Sequence, residues 1–595
     1  MKQYSIILII LLSSNLFGQT NWYVDYQNGD NLNNGTSVLT AVKTVNQLTS
    51  SNLLQPSDTV LIIGEYYNPS YNPNYTYGGD SDRNNPHIWH RENTISIGNL
   101  HGSENNYITF KPYDSNTVLK GDGANIFRIR NSSYIKVEGF EIYGEVENIP
   151  LSTAEGLLTD GLQFLYLAST TVDIENPTLS EVLYRVPVGT SLTTIENTTY
   201  PILGSVNRPT YVDTRGLYVS GSNHIKIIGN EIHHTPGGGL RISESSYVTI
   251  SENEIHNCSR RSYSGTHALV ITKAKEGTAN TTDDTTYSIV LNRNIIRDNY
   301  NEVFSWAPTK NLIHPRIDEG KGISLQRNNL NDWQNGNKRI LVENNICYWN
   351  GFSGIHSNDG WHIDFINNTC FMNSYTNTVT YANDPKGANI GISTANGNDI
   401  KILNNISVAD AGWNGKALSS AGTTGLVVEN NLIFGINGTI SQDADITAIE
   451  VNTIIADPLF ENTTIYDFNL QQNSPAIGIA NSSYSPVEDF YGNLRDNNPD
   501  LGAIEYILPS SVSEFNSNDI NIYPNPFTNK IIIDQILIKD EFSIYNVLGQ
   551  NMTNYISIIN NNQNTEIVTT DLPTGMYIIK TKTFVNKVYK SLSNK

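Results

Sequence analysis

The sequence predicts an all-β chain: a parallel β-helix solenoid followed by a small β-sandwich. Three observations carry that expectation. A short phrase, Asn then any residue then an apolar residue or Thr, recurs through the middle of the chain. Two of its intervals are identical at 23 residues. The segments that hold it are rich in β-branched residues and alternate with period two, and no helical period competes.

The phrase stands as Asn230-Glu231-Ile232, Asn253-Glu254-Ile255, Asn294-Ile295-Ile296, Asn344-Asn345-Ile346, Asn367-Asn368-Thr369, Asn404-Asn405-Ile406 and Asn430-Asn431-Leu432. The intervals 230 to 253 and 367 to 404 differ, 23 against 37 residues, so loops enlarge some coils. Asn suits a tight corner because it tolerates the left-handed backbone, and stacked Asn side chains bond to one another. The ladder is therefore read as architecture. Of the three cysteines, Cys347 and Cys370 are 23 residues apart. They are expected to stack on adjacent coils as core thiols, with a disulfide between them as the alternative.

Residues 1–19 read as a signal peptide: Lys2, an apolar run from Ile6 to Leu12, then small and polar residues. Residues 20–506 hold the solenoid, 507–518 a Ser/Asn-rich linker, and 519–595 the small β domain. The formal net charge is −21. Such a charge argues against nucleic acid or an anionic membrane as bulk partners, but leaves room for a local basic patch. A monomer is expected.

Two resemblances sharpen this reading. WYVDYQNGDNLNNGTS and DTVLIIGEYY near the start, and ADPLFENTTIYDFNLQQNSPAIGIA with FYGNLRDNNPDLGAIEY near residue 506, resemble the end coils of right-handed parallel β-helix proteins of the pectate-lyase-like class. That class holds lyases, hydrolases, epimerases and non-enzymatic binders, so the resemblance implies the fold and not the reaction. IYPNPFTNK, IYNVLGQ, LPTGMYIIK and VYKSLSNK resemble the type-A sorting domain of the Bacteroidetes type nine (Por) secretion system. This implies contact with the outer-membrane secretion machinery and a secreted or cell-surface protein.

In a solenoid of this kind a site is expected in a groove along one sheet, walled by inserted loops. Aligning the strands from Gly239, Ala268, Gly322 and Gly354 puts Glu244, Lys273, Arg327 and Asp359 in one column. These four are the candidate catalytic residues. Arg241, His356, Gln326 and Asn358 on the same strands, with Trp306 and Tyr263 from the insertions, are the candidate substrate-binding residues. Trp349 is a further aromatic that would stack on sugar. A salt-bridge ladder without function is the competing reading of the column. No metal ligand set is assigned: His233-His234 lacks further ligands at zinc spacing. No cofactor is required. Asp283-Asp284 and Asp318-Glu319 offer oxygen ligands suited to calcium, or are simply solvated.

Three functions compete. The first is cleavage of an anionic polysaccharide, uronic or sulfated, by β-elimination, with Lys273 as base beside Arg327. The second is a glycoside hydrolase with paired carboxylates, for which Asp318 or Glu319 with Asp359 fits better than Glu244 with Asp359, three coils apart. The third is a non-catalytic surface adhesin.

Overall fold

A computed structural model of the chain describes residues 19–507 apart from 78–91, 155–209 outside four short strands, 263, 278–285, 304–318, 374–389, 414 and 441. In the tail it describes 522–591 apart from 535–541, 547–549, 562–563, 571 and 582–584. Two compact units divide at Tyr506 and Ile507.

The first unit is a right-handed parallel β-helix. Each coil contributes one strand to each of three parallel ladders. In the coil that starts at Leu240 these are Leu240–Ser243, Ser246–Ser251 and Glu254–His256. We call the ladders faces one, two and three in that order. Each strand pairs with its equivalent in the next coil, as Leu240 does with Leu269 and Ile255 with Ile296.

Alternation fills the interior. On face two a single inward column runs Val60, Phe110, Val137, Ile227, Ile250, Leu291, Val342, Phe365, Ile402 and Val428. All are at most 1% exposed. Each such side chain contributes about 1.5–3 kcal/mol on burial. On face one the expected alternation holds through Leu325, and then the column turns polar as Ser357, Thr394 and Ser420. The Thr394 and Ser420 hydroxyls bond to each other at 3.2 Å. Ser357 thus opens a short polar stack and is not a lone exception. Cys347 and Cys370 sit in register in the inward column of face three as free, buried thiols.

The Asn ladder exists, but its register differs from the sequence expectation in four coils. The buried, mutually bonded residues are Asn230, Asn253, Asn294, Asn345, Asn368, Asn405 and Asn431. Each Nδ2 donates to the next Oδ1 at 2.8–3.0 Å. In the Asn-Asn pairs the ladder residue is therefore the second. The left-handed conformation also belongs to the residue before the ladder Asn: Gly229, Glu252, Arg293, Asn344, Asn367, Asn404 and Asn430 all have positive φ. A second ladder, absent from the sequence reading, joins Asn299, Asn350 and Asn373. It crowds the entry to face one: a Cβ on Gly354 would lie 2.6 Å from Asn373 Nδ2.

The last segment of this unit does not continue the coils as the sequence reading expected. The third face ends at Ile454–Ile455. Phe460, Phe468 and Leu470 then fold over its outer side, burying Tyr348, Phe371 and Val408. The outward Asn of each pair clasps the returning chain. Asn344 Nδ2 donates to Glu488 O, Asn367 Nδ2 to Asp500 O, and Asn430 Nδ2 to Ile479 O, all within 3.0 Å. Arg495, buried among these, donates to Glu505 Oε2 at 2.8 Å and to Asn344 Oδ1 at 2.9 Å.

The second unit has a four-stranded and a three-stranded antiparallel sheet. Phe527, Ile531, Phe542, Ile544, Ile567 and Ile579 form its core, making a small sandwich. The linker expected at 507–518 lies outside the described residues from 508 on.

Asn368→Ala removes bonds to Val342 O, Ile366 O and Asn405 Oδ1 inside the ladder. Each partner left unpaired costs about 1–3 kcal/mol. Urea unfolding of the purified protein is expected to show a loss of at least about 3 kcal/mol. Asn398→Ala, at a half-buried asparagine whose bond to Thr424 Oγ1 lies at the solvent surface, is expected to stay within about 0.5–1 kcal/mol. Equal losses would show that the ladder is not the stabilising element.

Candidate functional site

Among the described residues of the coils from Arg215 to Asn358, face one has insertions at both of its edges. Chain enters it after 144–214, 257–268 and 298–322, and leaves it into 273–286 and 329–338. Its outward positions therefore form a floor between these edges, where the sequence leads one to expect a groove. One outward column runs Arg128, Tyr218, Arg241, Val270, Ser324, His356 and Ser393. Arg241, His356, Gln326 and Asn358, expected from the sequence to bind substrate, all stand on this floor.

The upper end is cationic. The Arg128 guanidinium lies 3.9 Å from the centre of the Tyr218 ring, Arg215 at 5.8 Å and Arg241 at 5.9 Å. Arg130 is exposed one register step away. Burial and then the charge of Arg215 lower the pKa of Arg241, with Arg327 adding to it. Burial likewise lowers the pKa of Arg128, reinforced by the charges of Arg130 and Arg215. Among the described residues no carboxylate forms an ion pair with any of these four arginines. The aligned strands include Arg241 and not the rest, because Arg215 lies one coil and Arg128 and Arg130 two coils before the first of them.

Two coils further on, the floor holds a buried polar cluster. Lys321 Nζ donates to Glu319 Oε2 at 2.6 Å and lies 4.8 Å from the Phe352 ring. The Lys321 backbone N–H points at His267 Nδ1. That places the His267 proton on Nε2, which meets the Gln326 side-chain amide at 2.6 Å and Glu319 Oε2 at 3.5 Å. The Gln326 amide must then present its oxygen to His267. On the next coil His356 Nδ1 contacts Ser393 Oγ at 2.6 Å. Burial, reinforced by Lys321, pushes the His356 pKa down to about 3, so the ring is neutral at ordinary pH. His267 and Lys321 precede the aligned strands by one or two residues, which is why a strand-based reading did not reach them.

The charge column Glu244, Lys273, Arg327 and Asp359 is in register on four adjacent coils. It is the left-handed corner between faces one and two: their φ values are 52°, 53°, 53° and 53°. Asn131, Gly221, Asn396 and Gly422 occupy the same corner above and below. Lys273 Nζ meets Glu244 Oε1 at 3.3 Å, with both side chains about half exposed. Asp359 accepts from Asn358 Nδ2 at 3.2 Å. The other corner repeats this device, since left-handed Glu252 and Arg293 also form an ion pair on adjacent coils. The column thus borders this floor at its edge, while the buried cluster lies on it.

Tyr263, Trp306, Asp283, Asp284 and Asp318 lie outside the described residues. Trp349 is corrected: it packs edge-on against Phe371, 6.2 Å between ring centres, on the apolar side of face three. It is not over face one. Glu319, offered for calcium or as a hydrolase carboxylate, is committed to Lys321. His233 and His234 are joined from the next coil by His256, a partner that sequence spacing did not reveal.

Residues 165–335 match the family described as right handed beta helix region. Residues 521–593 match the secretion system C-terminal sorting domain. The chain is accordingly a right-handed parallel β-helix with a type nine sorting tail, directed to the cell surface or the extracellular space. No described helix is long and apolar enough to cross a membrane. No curated protein matches the sequence. Among solved structures, the chain is similar to pectate lyase Pel9A at 12% identity, over 82% of this chain and 97% of that one, with a TM-score of 0.39. It is similar to the GH136 lacto-N-biosidase from Eubacterium ramulus at 11%, over 73% and 68%, with a TM-score of 0.35. The Azotobacter vinelandii mannuronan C-5 epimerase AlgE4 A-module gives 12%, over 67% and 86%, with a TM-score of 0.34. At such values none of them assigns a reaction.

Two outcomes are expected. His356 has a folded pKa below its unfolded value of 6.5, so the unfolded chain takes up the proton first. Its stability contribution is complete above pH 6.5 and is lost as pH falls towards 3. A His356→Asn variant should show a flatter loss of unfolding free energy than the parent over that window; parallel curves would refute the assignment. Truncation after Tyr506 should leave the solenoid folded and abolish appearance at the cell surface of the native host. A truncated chain that still arrives there would contradict the sorting role.

Proposed function

We propose that the protein is a secreted carbohydrate-active enzyme that binds an anionic polysaccharide along face one and cleaves it by β-elimination. The observation that carries this is the arginine cluster around Tyr218. Arg128, Arg130, Arg215 and Arg241 gather on one patch of a chain whose net charge is −21. Like charges this close are unfavourable unless a ligand of opposite sign is bound. Guanidinium groups present planar forks that match carboxylate or sulfate, and the tyrosine offers a flat face to a sugar ring.

β-Elimination needs a group that takes the proton beside the uronate carboxylate, and positive charge to hold the enolate that forms. In this reading Lys321 and His267 handle the proton, with Glu319 and Gln326 orienting them. Strand spacing of about 4.8 Å puts the arginine patch and this cluster two coils, or about 10 Å, apart along the groove. One extended sugar chain can reach both. The rim residues Lys273 and Arg327, oriented by Glu244 and Asp359, contact the polysaccharide from the edge and affect binding more than the chemical step. A hydrolase would need a second carboxylate facing Glu319, and the pairing of Glu319 with Lys321 weighs against it.

The test is a panel of uronic and sulfated polysaccharides, read for ultraviolet absorbance of an unsaturated product and for reducing ends. Absorbance is expected. Reducing ends without absorbance would mean hydrolysis, and neither would mean an adhesin. On the responsive substrate Arg241→Ala should raise KM about tenfold or more, the loss of one charged hydrogen bond. Lys321→Ala or His267→Gln should lower kcat about 10²–10⁴-fold. Lys273→Ala should act on KM and leave kcat within about tenfold. The reverse pattern would move the base to the rim.

A further inference from the structure

We propose that His233, His234 and His256 form a binding site for a divalent transition-metal ion of the zinc type on face three, at the base of the insertion that begins at Gly144. The site is separate from the groove and from the reading of its function. His233 and His256 occupy the same register position on adjacent coils, their rings stacked at 4.9 Å and 8°. His234 follows at a left-handed corner, with φ of 52°. One ligand nitrogen from each of the three lies within 4.8 Å of the others. Among the described residues no other group of three His, Cys, Asp or Glu side chains meets that spacing.

The hydrogen bonds around the cluster are those of metal-binding histidines. Each ring offers its Nε2 to a different carboxylate. His233 meets Glu141 Oε1 at 3.3 Å, His234 meets Glu147 Oε1 at 3.2 Å, and His256 meets Glu231 Oε1 at 3.1 Å. A carboxylate behind each imidazole fixes its tautomer and raises its basicity as a ligand. Two of the opposite nitrogens meet, His233 Nδ1 and His234 Nδ1 at 2.7 Å, while His256 Nδ1 lies 3.2 Å from Asn257 Oδ1 and would exchange that contact for the ion. Two such nitrogens at that distance need either one shared proton or one ion between them. Three imidazoles and a water make a four-coordinate zinc set. Ligand nitrogens at about 2.0–2.1 Å from the ion sit roughly 3.4 Å apart in a tetrahedron, so small rotations of the rings close the site. Because Glu147 belongs to the chain entering the insertion, the ion would tie that entry to the coils of His233 and His256.

The experiment uses the full chain, stripped with chelator and titrated with CoCl2 and then ZnCl2. The expected result is one ion per chain, with the visible absorption of tetrahedral cobalt that zinc displaces. His234→Ala and His256→Ala should each abolish that absorption. Glu147→Gln and Glu231→Gln, at exposed carboxylates where folding is not at risk, should weaken zinc binding about 10–100-fold. His101→Ala, at a histidine outside the cluster, should bind as the parent does. No bound ion, or binding that survives both His234→Ala and His256→Ala, would overturn the site. A melting temperature raised by zinc in the parent and unchanged in Glu147→Gln would support the tie to the insertion.

Discussion

A buried corner has to satisfy its polar groups, and in this protein an asparagine does so seven times in succession. The chain turns from face two to face three inside the solenoid, where main-chain carbonyls and N–H groups are out of reach of water. An unpaired group there costs about 1–3 kcal/mol. Each ladder Asn answers this with one side chain: Asn253 Nδ2 donates to Ile227 O, Ser251 O and Asn294 Oδ1, while its own Oδ1 accepts from Asn230. Since each Asn also completes the one above it, the corner sets the register of the whole stack. Between corners the chain is free to vary, and successive ladder residues are separated by 23, 41, 51, 23, 37 and 26 residues. A rigid repeat with unequal loops is what allows insertions to gather at the edges of one face without disturbing the core.

The doubled Asn of the later coils shows the same residue used in two opposite directions. The second Asn of each pair turns inward to the ladder. The first adopts positive φ, turns outward and holds the segment that returns along the corner. The pattern changes where that segment lies: the earlier coils have Gly229, Glu252 and Arg293 at this position. The outward face changes with it, from Glu231 and His233 in the early coils to Ile346, Tyr348 and Phe371 beneath the covering chain. Burying Arg495 there is tolerable because Glu505, Asn344 and three carbonyls accept from its two terminal nitrogens.

Charge is distributed with similar economy. Left-handed corners cost a residue with a Cβ roughly 1 kcal/mol. Glu244, Lys273, Arg327 and Asp359 accept that cost at one corner, and Glu252 and Arg293 at the other. Opposite charges on adjacent coils recover part of it. Such pairs face water and are worth little individually. The arginines about Tyr218 are different, because burial raises the energy of the positive charges on Arg128 and Arg241, which no carboxylate among the described residues pairs.

What could be read from the sequence followed from periodicity. Period two gave the strands and their inward residues, and the repeated phrase gave the coil. Recurring turn phrases marked the tail, and the groove strands carried Arg241, Gln326, His356 and Asn358 in the open. These signals are local, and the backbone answers to them locally. What only the tertiary structure decided depended on which residues a coil brings together across long gaps. In Asn344-Asn345 either residue fits a corner, and only the stack chooses the one that points in. Arg128 and Tyr218 are separated by an insertion, with 90 residues between the strands that pair them. His267 and Lys321 stand just before their strands, where no alternation marks them. His256 reaches His233 through one coil of backbone. A sequence specifies period and polarity, but the contacts that make a site are set by the rise of the coil and by the loops that enter it, and those distances exist only once the chain has closed on itself.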